Sequence, residues 1–105
     1  MHRHAKVWIA DDDNSIRWVL ERALTQAGIV NQSFADADEL LGQIATGKPD
    51  VIISDIRMPG TNGLDLLTRI CERYPNVPVI ITTAHSDLDS AVASYQKGAF
   101  EYLPK

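Results

Sequence analysis

The stretch Asp50-Val51-Ile52-Ile53-Ser54-Asp55-Ile56-Arg57-Met58-Pro59-Gly60 decides how this chain is read. Its first half is a short apolar, β-branched run of the kind that forms a strand buried on both faces of a parallel sheet, and it ends in a carboxylate. The chain then turns. Met58-Pro59-Gly60-Thr61-Asn62-Gly63 holds a proline that fixes φ and two glycines able to take φ > 0, so the loop has a set shape with Asp55 at its mouth. In open α/β sheets the carboxyl-end rim is where ligands bind. Alone, Asp55 reads as well as a capping or loop aspartate. The rest of the chain decides between the two.

Working outward, residues 6–10 predict a first strand, followed by Asp11, Asp12 and Asp13. Ile16, Val19, Leu20, Ala23, Leu24 and Ala27 recur at helical spacing and predict a first helix stopped by Gly28. Residues 29–34 predict a second strand. Asp36 with Glu39 resembles a capping box ahead of a helix whose stripe is Ala37, Leu40, Leu41, Ile44 and Ala45. A third helix over 63–73 is expected to bury Leu64, Leu67, Ile70 and Cys71. Residues 77–83 predict a fourth strand, Ser86-Asp87-Leu88-Asp89 opens a fourth helix, and 99–103 predict a fifth strand before Pro104-Lys105. Strands alternating with helices give parallel βαβ units with right-handed crossovers.

Bulk properties narrow the function. A chain of 105 residues is one domain, and 45% hydrophobic with 23% charged residues is ordinary globular composition. A formal charge of −4 with no Lys/Arg cluster argues against nucleic-acid binding by this segment. No apolar run approaches the roughly 20 residues of a membrane span, and no apolar leader follows Met1, so the expected location is the cytoplasm. Cys71 is the single cysteine, which rules out an intrachain disulfide and suits a packing role.

In a parallel sheet the strand ends point one way, so Asp11, Asp12 and Asp13, Asp55, Thr82 and Thr83, and Lys105 converge on one rim. Carboxylates about 4 Å apart repel by roughly 4 kcal/mol per pair at an effective dielectric near 20, and a divalent cation offsets that. An all-oxygen set suits Mg²⁺ or Mn²⁺ rather than zinc, and His2, His4 and His85 form no ligand set. Metal, carboxylate, lysine and hydroxyl together suit phosphoryl transfer. Asp55 attacks phosphorus, and Lys105 and Thr83 stabilise the phosphoryl oxygens. Strand alternation lets only one of Thr82 and Thr83 face the site.

The acids after the first strand, Asp55-x-x-Met58-Pro59-x-x-x-Gly63, Thr83-Ala84 and Lys105 after an aromatic strand together resemble a response-regulator receiver domain, over the whole chain. Ala10 to Glu21, Ser54 to Gly60 and Thr83 to Asp89 are especially similar to receivers of NtrC-type nitrogen regulators, which are transcription activators. The resemblance implies a flavodoxin-like (CheY-like) sheet of order 2-1-3-4-5 with helices on both faces. It implies that Asp55 accepts phosphoryl from a sensor histidine kinase, and that Mg²⁺ is held by Asp12, Asp55 and the Arg57 carbonyl, with Asp11 acting through water. Thr83 and Tyr102 would form the switch that controls an output domain. In the family the acid pair directly follows the strand, which leaves Asp13 to a loop or capping role. Receivers continue into a fifth helix, so residues 1–105 read as a receiver truncated at the end of strand five, with apolar side chains exposed on the face that helix covers. A homodimer through the fourth helix and fifth strand is a further family expectation.

Three other readings use the same residues. Asp11-x-Asp13 after an apolar strand also resembles the haloacid-dehalogenase phosphatases, but Asn14 stands where Thr or Val is expected. A nucleotide-binding module lacks its glycine-rich loop. A stand-alone phosphorelay shuttle shares the favoured chemistry. The favoured reading is a phosphorylation-dependent switch rather than an enzyme.

Overall fold

A computed structural model describes residues 5–83, 92–93 and 96–104, without the side chains of Tyr102 and Pro104. Five parallel strands form one sheet: β1 (Lys6–Ala10), β2 (Val30–Phe34), β3 (Val51–Asp55), β4 (Val79–Thr83) and β5 (Glu101–Pro104), in the order β2-β1-β3-β4-β5. Three helices alternate with the first four strands: α1 (Asn14–Gln26), α2 (Ala37–Ile44) and α3 (Gly63–Arg73). The fourth helix expected from Ser86 lies mostly outside the described residues, as do His2, His4, His85 and Lys105.

The handedness of the crossovers sorts these helices between the faces. β1 to β2 runs in one direction along the sheet, whereas β2 to β3 and β3 to β4 run in the other, so right-handed connections put α1 opposite α2 and α3. The main core lies on the α2/α3 side. Trp8, Ala10, Ile52, Val79 and Ile81 of the sheet meet Ala37, Leu40 and Ile44 of α2 and Leu66, Leu67 and Ile70 of α3. Trp8 and Phe34 pack in a tilted pair, with ring centroids 5.2 Å apart and planes at 60°.

Local chemistry sets the element ends. Asp36 caps α2 by accepting from the Glu39 amide at 2.8 Å, the half of the capping box that the spacing anticipates. Asn62 caps α3 by accepting from the Asp65 amide at 2.9 Å. Gly28 closes α1 at φ +77°. β4 starts after Pro78 rather than at Val77, because Pro78 has no N–H for the ladder, although its carbonyl accepts from Ile52 at 3.0 Å.

One expectation about packing is corrected. In α3 the buried set is Gly63, Leu66, Leu67 and Ile70, with Leu64 and Cys71 only partly covered, so the helix is rotated toward Leu66. In α1 no residue is fully buried, and Val19 keeps 55% of its surface exposed. The apolar exposure expected on this face is seen at Val19 and Leu103, and Ile53 and Ile80 beneath are half-buried. Cys71 packs beside Gly98, its Sγ 3.9 Å from the Gly98 carbonyl, and burial pushes its thiol pKa up.

Candidate functional site

β1 and β3 are hydrogen-bonded neighbours, so their carboxyl ends release the chain side by side at the rim. Asp11 follows β1 directly and Asp55 is the last residue of β3. Carboxylate oxygens of Asp11, Asp12 and Asp55 all lie within 4.8 Å of one another. Asp11 and Asp55 are buried, at 2% and 8% exposure, while Asp12 is open to solvent. The three acids therefore form a pocket of negative charge with one wet side.

The neighbouring acid does something else. Asp13 is the N-cap of α1, its side chain accepting from the amides of Ser15 at 2.8 Å and Ile16 at 3.3 Å. That is the capping role its surplus position suggests, and it leaves Asp13 outside the cluster. The Asp13 amide in turn donates to Asp11 Oδ1 at 2.9 Å, and the Arg17 guanidinium donates to the Asp11 carbonyl. The turn that presents Asp11 and Asp12 is thus bolted to the first turns of α1.

The β3–α3 loop is fixed from beneath. The Gly63 amide donates to the Ile56 carbonyl at 2.8 Å, and a Cβ on Gly63 would lie 2.1 Å from the Asp55 carbonyl oxygen. No side chain fits there. Ile56 and Met58 are buried and pin the loop to the core, which leaves Arg57 facing outward two residues after Asp55. Gly60 takes φ +74°, as the sequence suggested, but Gly63 does not: it is glycine for space, not for dihedral freedom.

The two threonines end β4, where Thr82 pairs in register with Asp55. Both are buried. The Thr82 hydroxyl donates to the Ser54 carbonyl at 3.4 Å, a weak bond that turns it toward the neighbouring strand. Tyr102 sits in β5 in register with Ile81, but its side chain, like Lys105, lies outside what the structure describes. Sequence reading missed Thr61, whose hydroxyl donates to Asp38 of α2 at 2.7 Å, because nothing in the sequence links residues 23 apart.

Three carboxylates with an open side are hard oxygen donors suited to a small divalent cation. A parallel α/β sheet with acids gathered at the ends of its first and third strands defines a receiver-type fold, and the chain belongs to the response regulator receiver domain family, whose model matches residues 7–105. Its relatives include the DNA-binding transcriptional regulator NtrC of Salmonella typhimurium, 61% identical over 99 residues. That match covers 94% of this chain and 21% of the relative, so the chain spans about a fifth of the regulator's length. Among solved structures, the BeF3-activated receiver domain of nitrogen regulatory protein C superposes with TM-score 0.83 at 58% identity, covering 99% of this chain and 84% of that one. A receiver domain protein from Clostridium thermocellum gives TM-score 0.90 at 35% identity, covering 96% of this chain and 82% of that one.

Proposed function

We propose that this receiver takes a phosphoryl group from a phosphohistidine of a sensor histidine kinase onto Asp55, in a Mg²⁺-dependent reaction, and relays the change to an output domain of the NtrC type that activates transcription. The observation that carries the reading is the meeting of Asp11, Asp12 and Asp55 oxygens within 4.8 Å at the strand ends. Burial of Asp55 at 8% exposure favours a single approach to its carboxylate, along the open side of the cluster. Asp12, Asp55 and the Arg57 carbonyl would hold the cation, with Asp11 acting through water. The bound Mg²⁺ (or Mn²⁺) supplies charge neutralisation at the phosphoryl oxygens.

The chain's own groups perform the rest. A carboxylate oxygen of Asp55 forms a bond to phosphorus as the phosphorus–nitrogen bond to the kinase imidazole breaks, giving an acyl phosphate. Lys105 neutralises the transferred oxygens. Thr83 is the hydroxyl assigned to donate to one of them, and the engagement of Thr82 with the Ser54 carbonyl supports that choice. Tyr102 follows Thr83 and passes the change outward. Moving such a two-state element from 1:99 to 99:1 takes about 5.5 kcal/mol of differential interaction, the scale of a few charge-assisted hydrogen bonds.

The exchange takes place in the cytoplasm, and no described helix is long and apolar enough to cross a membrane. Residues 1–105 form the receiver unit, this segment does not itself contact nucleic acid, and phosphorylation favours a homodimer. Mass spectrometry after acetyl phosphate and Mg²⁺ tests the chemistry. One added phosphoryl is expected on Asp55, absent in Asp55→Asn; an adduct on Asp11 with multiple turnover would point to phosphatase chemistry instead.

A further inference from the structure

The loop that leaves Asp55 is held from beneath by Gly63 and by buried Ile56 and Met58, but its outer corner has a different fastening. Thr61 Oγ1 donates to Asp38 Oδ1 at 2.7 Å, and the other oxygen of that carboxylate lies against Gly60, 3.5 Å from where a Cβ would stand. Asp38 belongs to the first turn of α2, a helix fixed by its Asp36 cap and by buried Ala37, Leu40 and Ile44. One exposed carboxylate thus meets the Gly60-Thr61 turn from a neighbouring helix. The loop between this tether and Asp55 includes Arg57, whose carbonyl is an assigned cation ligand.

We infer that the Thr61–Asp38 hydrogen bond is a positioning device for the acidic rim: it restrains the β3–α3 loop that carries the Arg57 carbonyl, one of the groups that would hold a divalent cation. The inference rests on the reading of the rim given above. Asp38 and Thr61 touch neither the cation nor the phosphoryl group; they act through the loop. Without the tether the Gly60-Thr61 corner loses its fastening to α2, and cation binding has to order more of the loop. The cost falls on affinity, not on the transfer step.

The test is Mg²⁺ titration of the purified chain by calorimetry, with the Mg²⁺ dependence of acetyl phosphate labelling measured in parallel. Thr61→Val keeps the shape and removes the hydroxyl. It should weaken Mg²⁺ binding by about threefold to tenfold, the worth of one hydrogen bond, and leave the labelling rate at saturating Mg²⁺ unchanged. Amide exchange at Gly60–Gly63 should quicken in the metal-free chain. Thr61→Ser keeps the donor and should restore both the affinity and the slower exchange. Asp38→Asn keeps an acceptor oxygen while removing the charge, so it should behave like wild type, whereas Asp38→Ala should match Thr61→Val and add nothing to it in the double variant.

Unchanged affinity in Thr61→Val, no rescue by Thr61→Ser, or equal losses in Asp38→Asn and Asp38→Ala would each overturn the tether while leaving Asp55 as acceptor. A wild-type chain that neither binds Mg²⁺ nor gains phosphoryl on Asp55 would instead overturn the reading of the rim, and the tether with it.

Discussion

The two faces of the sheet are built by different means. Against one, α2 and α3 bury an apolar cluster that runs from Phe34 through Trp8 and Ile52 to Ile81. Against the other, Val7 and Ile9 of β1 are buried, but α1 itself buries nothing completely, its Ile16, Leu20 and Leu24 are half-covered, and polar links add to its hold. Asp13 caps it, Arg17 reaches back to the Asp11 carbonyl, Glu21 accepts from the Ser33 hydroxyl, and Thr25 accepts from Asn31 at 3.0 Å. Apolar burial is worth more per side chain than an exposed hydrogen bond, so stability should reside on the α2/α3 face. The α1 face instead ties the orientation of a helix to the turn that presents Asp11 and Asp12.

The strongest challenge to this division is a truncation in the packed face. Leu67 is fully buried between α3 and the sheet, and Leu67→Ala removes its contacts and leaves a cavity. The expected loss is about 2–5 kcal/mol of unfolding free energy, read from urea unfolding by far-UV circular dichroism. A loss below 1 kcal/mol on that scale would mean that the core collapses freely around the site, and the contrast between the faces would fail.

A smaller change sharpens the contrast from the polar side. Asp13→Ala removes the cap of α1, and the expected cost is about 0.5–2 kcal/mol. Because the Asp13 amide also donates to Asp11 Oδ1, the variant keeps that backbone bond and should still accept phosphoryl on Asp55. Asp13→Asn retains a capping oxygen and should restore most of the stability. Loss of labelling in a folded Asp13→Asn chain would place Asp13 among the groups that hold the cation rather than at the helix end.

These contrasts explain what sequence could and could not disclose. Short-range chemistry was legible: the β-branched run ending in Asp55, the Asp36 cap, the Gly28 stop and the surplus Asp13 each act within a few residues of themselves. The parallel sheet and the gathering of Asp11, Asp12 and Asp55 at its strand ends followed from the alternation of strands and helices, which needs no side-chain detail, whereas the strand order came only from the family resemblance. Helix rotation did not follow. Leu64 and Leu66 both sit near the apolar stripe of α3, and only the close seat of Gly63 on the Asp55 carbonyl turns Leu66 inward. The Thr61–Asp38 bond joins elements distant in the chain and left no trace in either segment.

The least disruptive change bears on the exposed surface of α1. Trp18 is 58% exposed and its ring carries the Arg22 guanidinium 5.1 Å from the centroid, so it contributes little to folding. Trp18→Ser should shift unfolding free energy by no more than about 0.5 kcal/mol. Of the two tryptophans, the one that remains is Trp8, buried at 3% exposure against Phe34, so the emission maximum should move to shorter wavelength. Both readings should be independent of protein concentration. A cost near 2 kcal/mol that grows with concentration would show that copies of the chain meet across the α1 face in solution. In that case the apparent openness of this face belongs to the isolated chain alone, and α1 gains from a neighbour the apolar burial that α2 and α3 find within the fold.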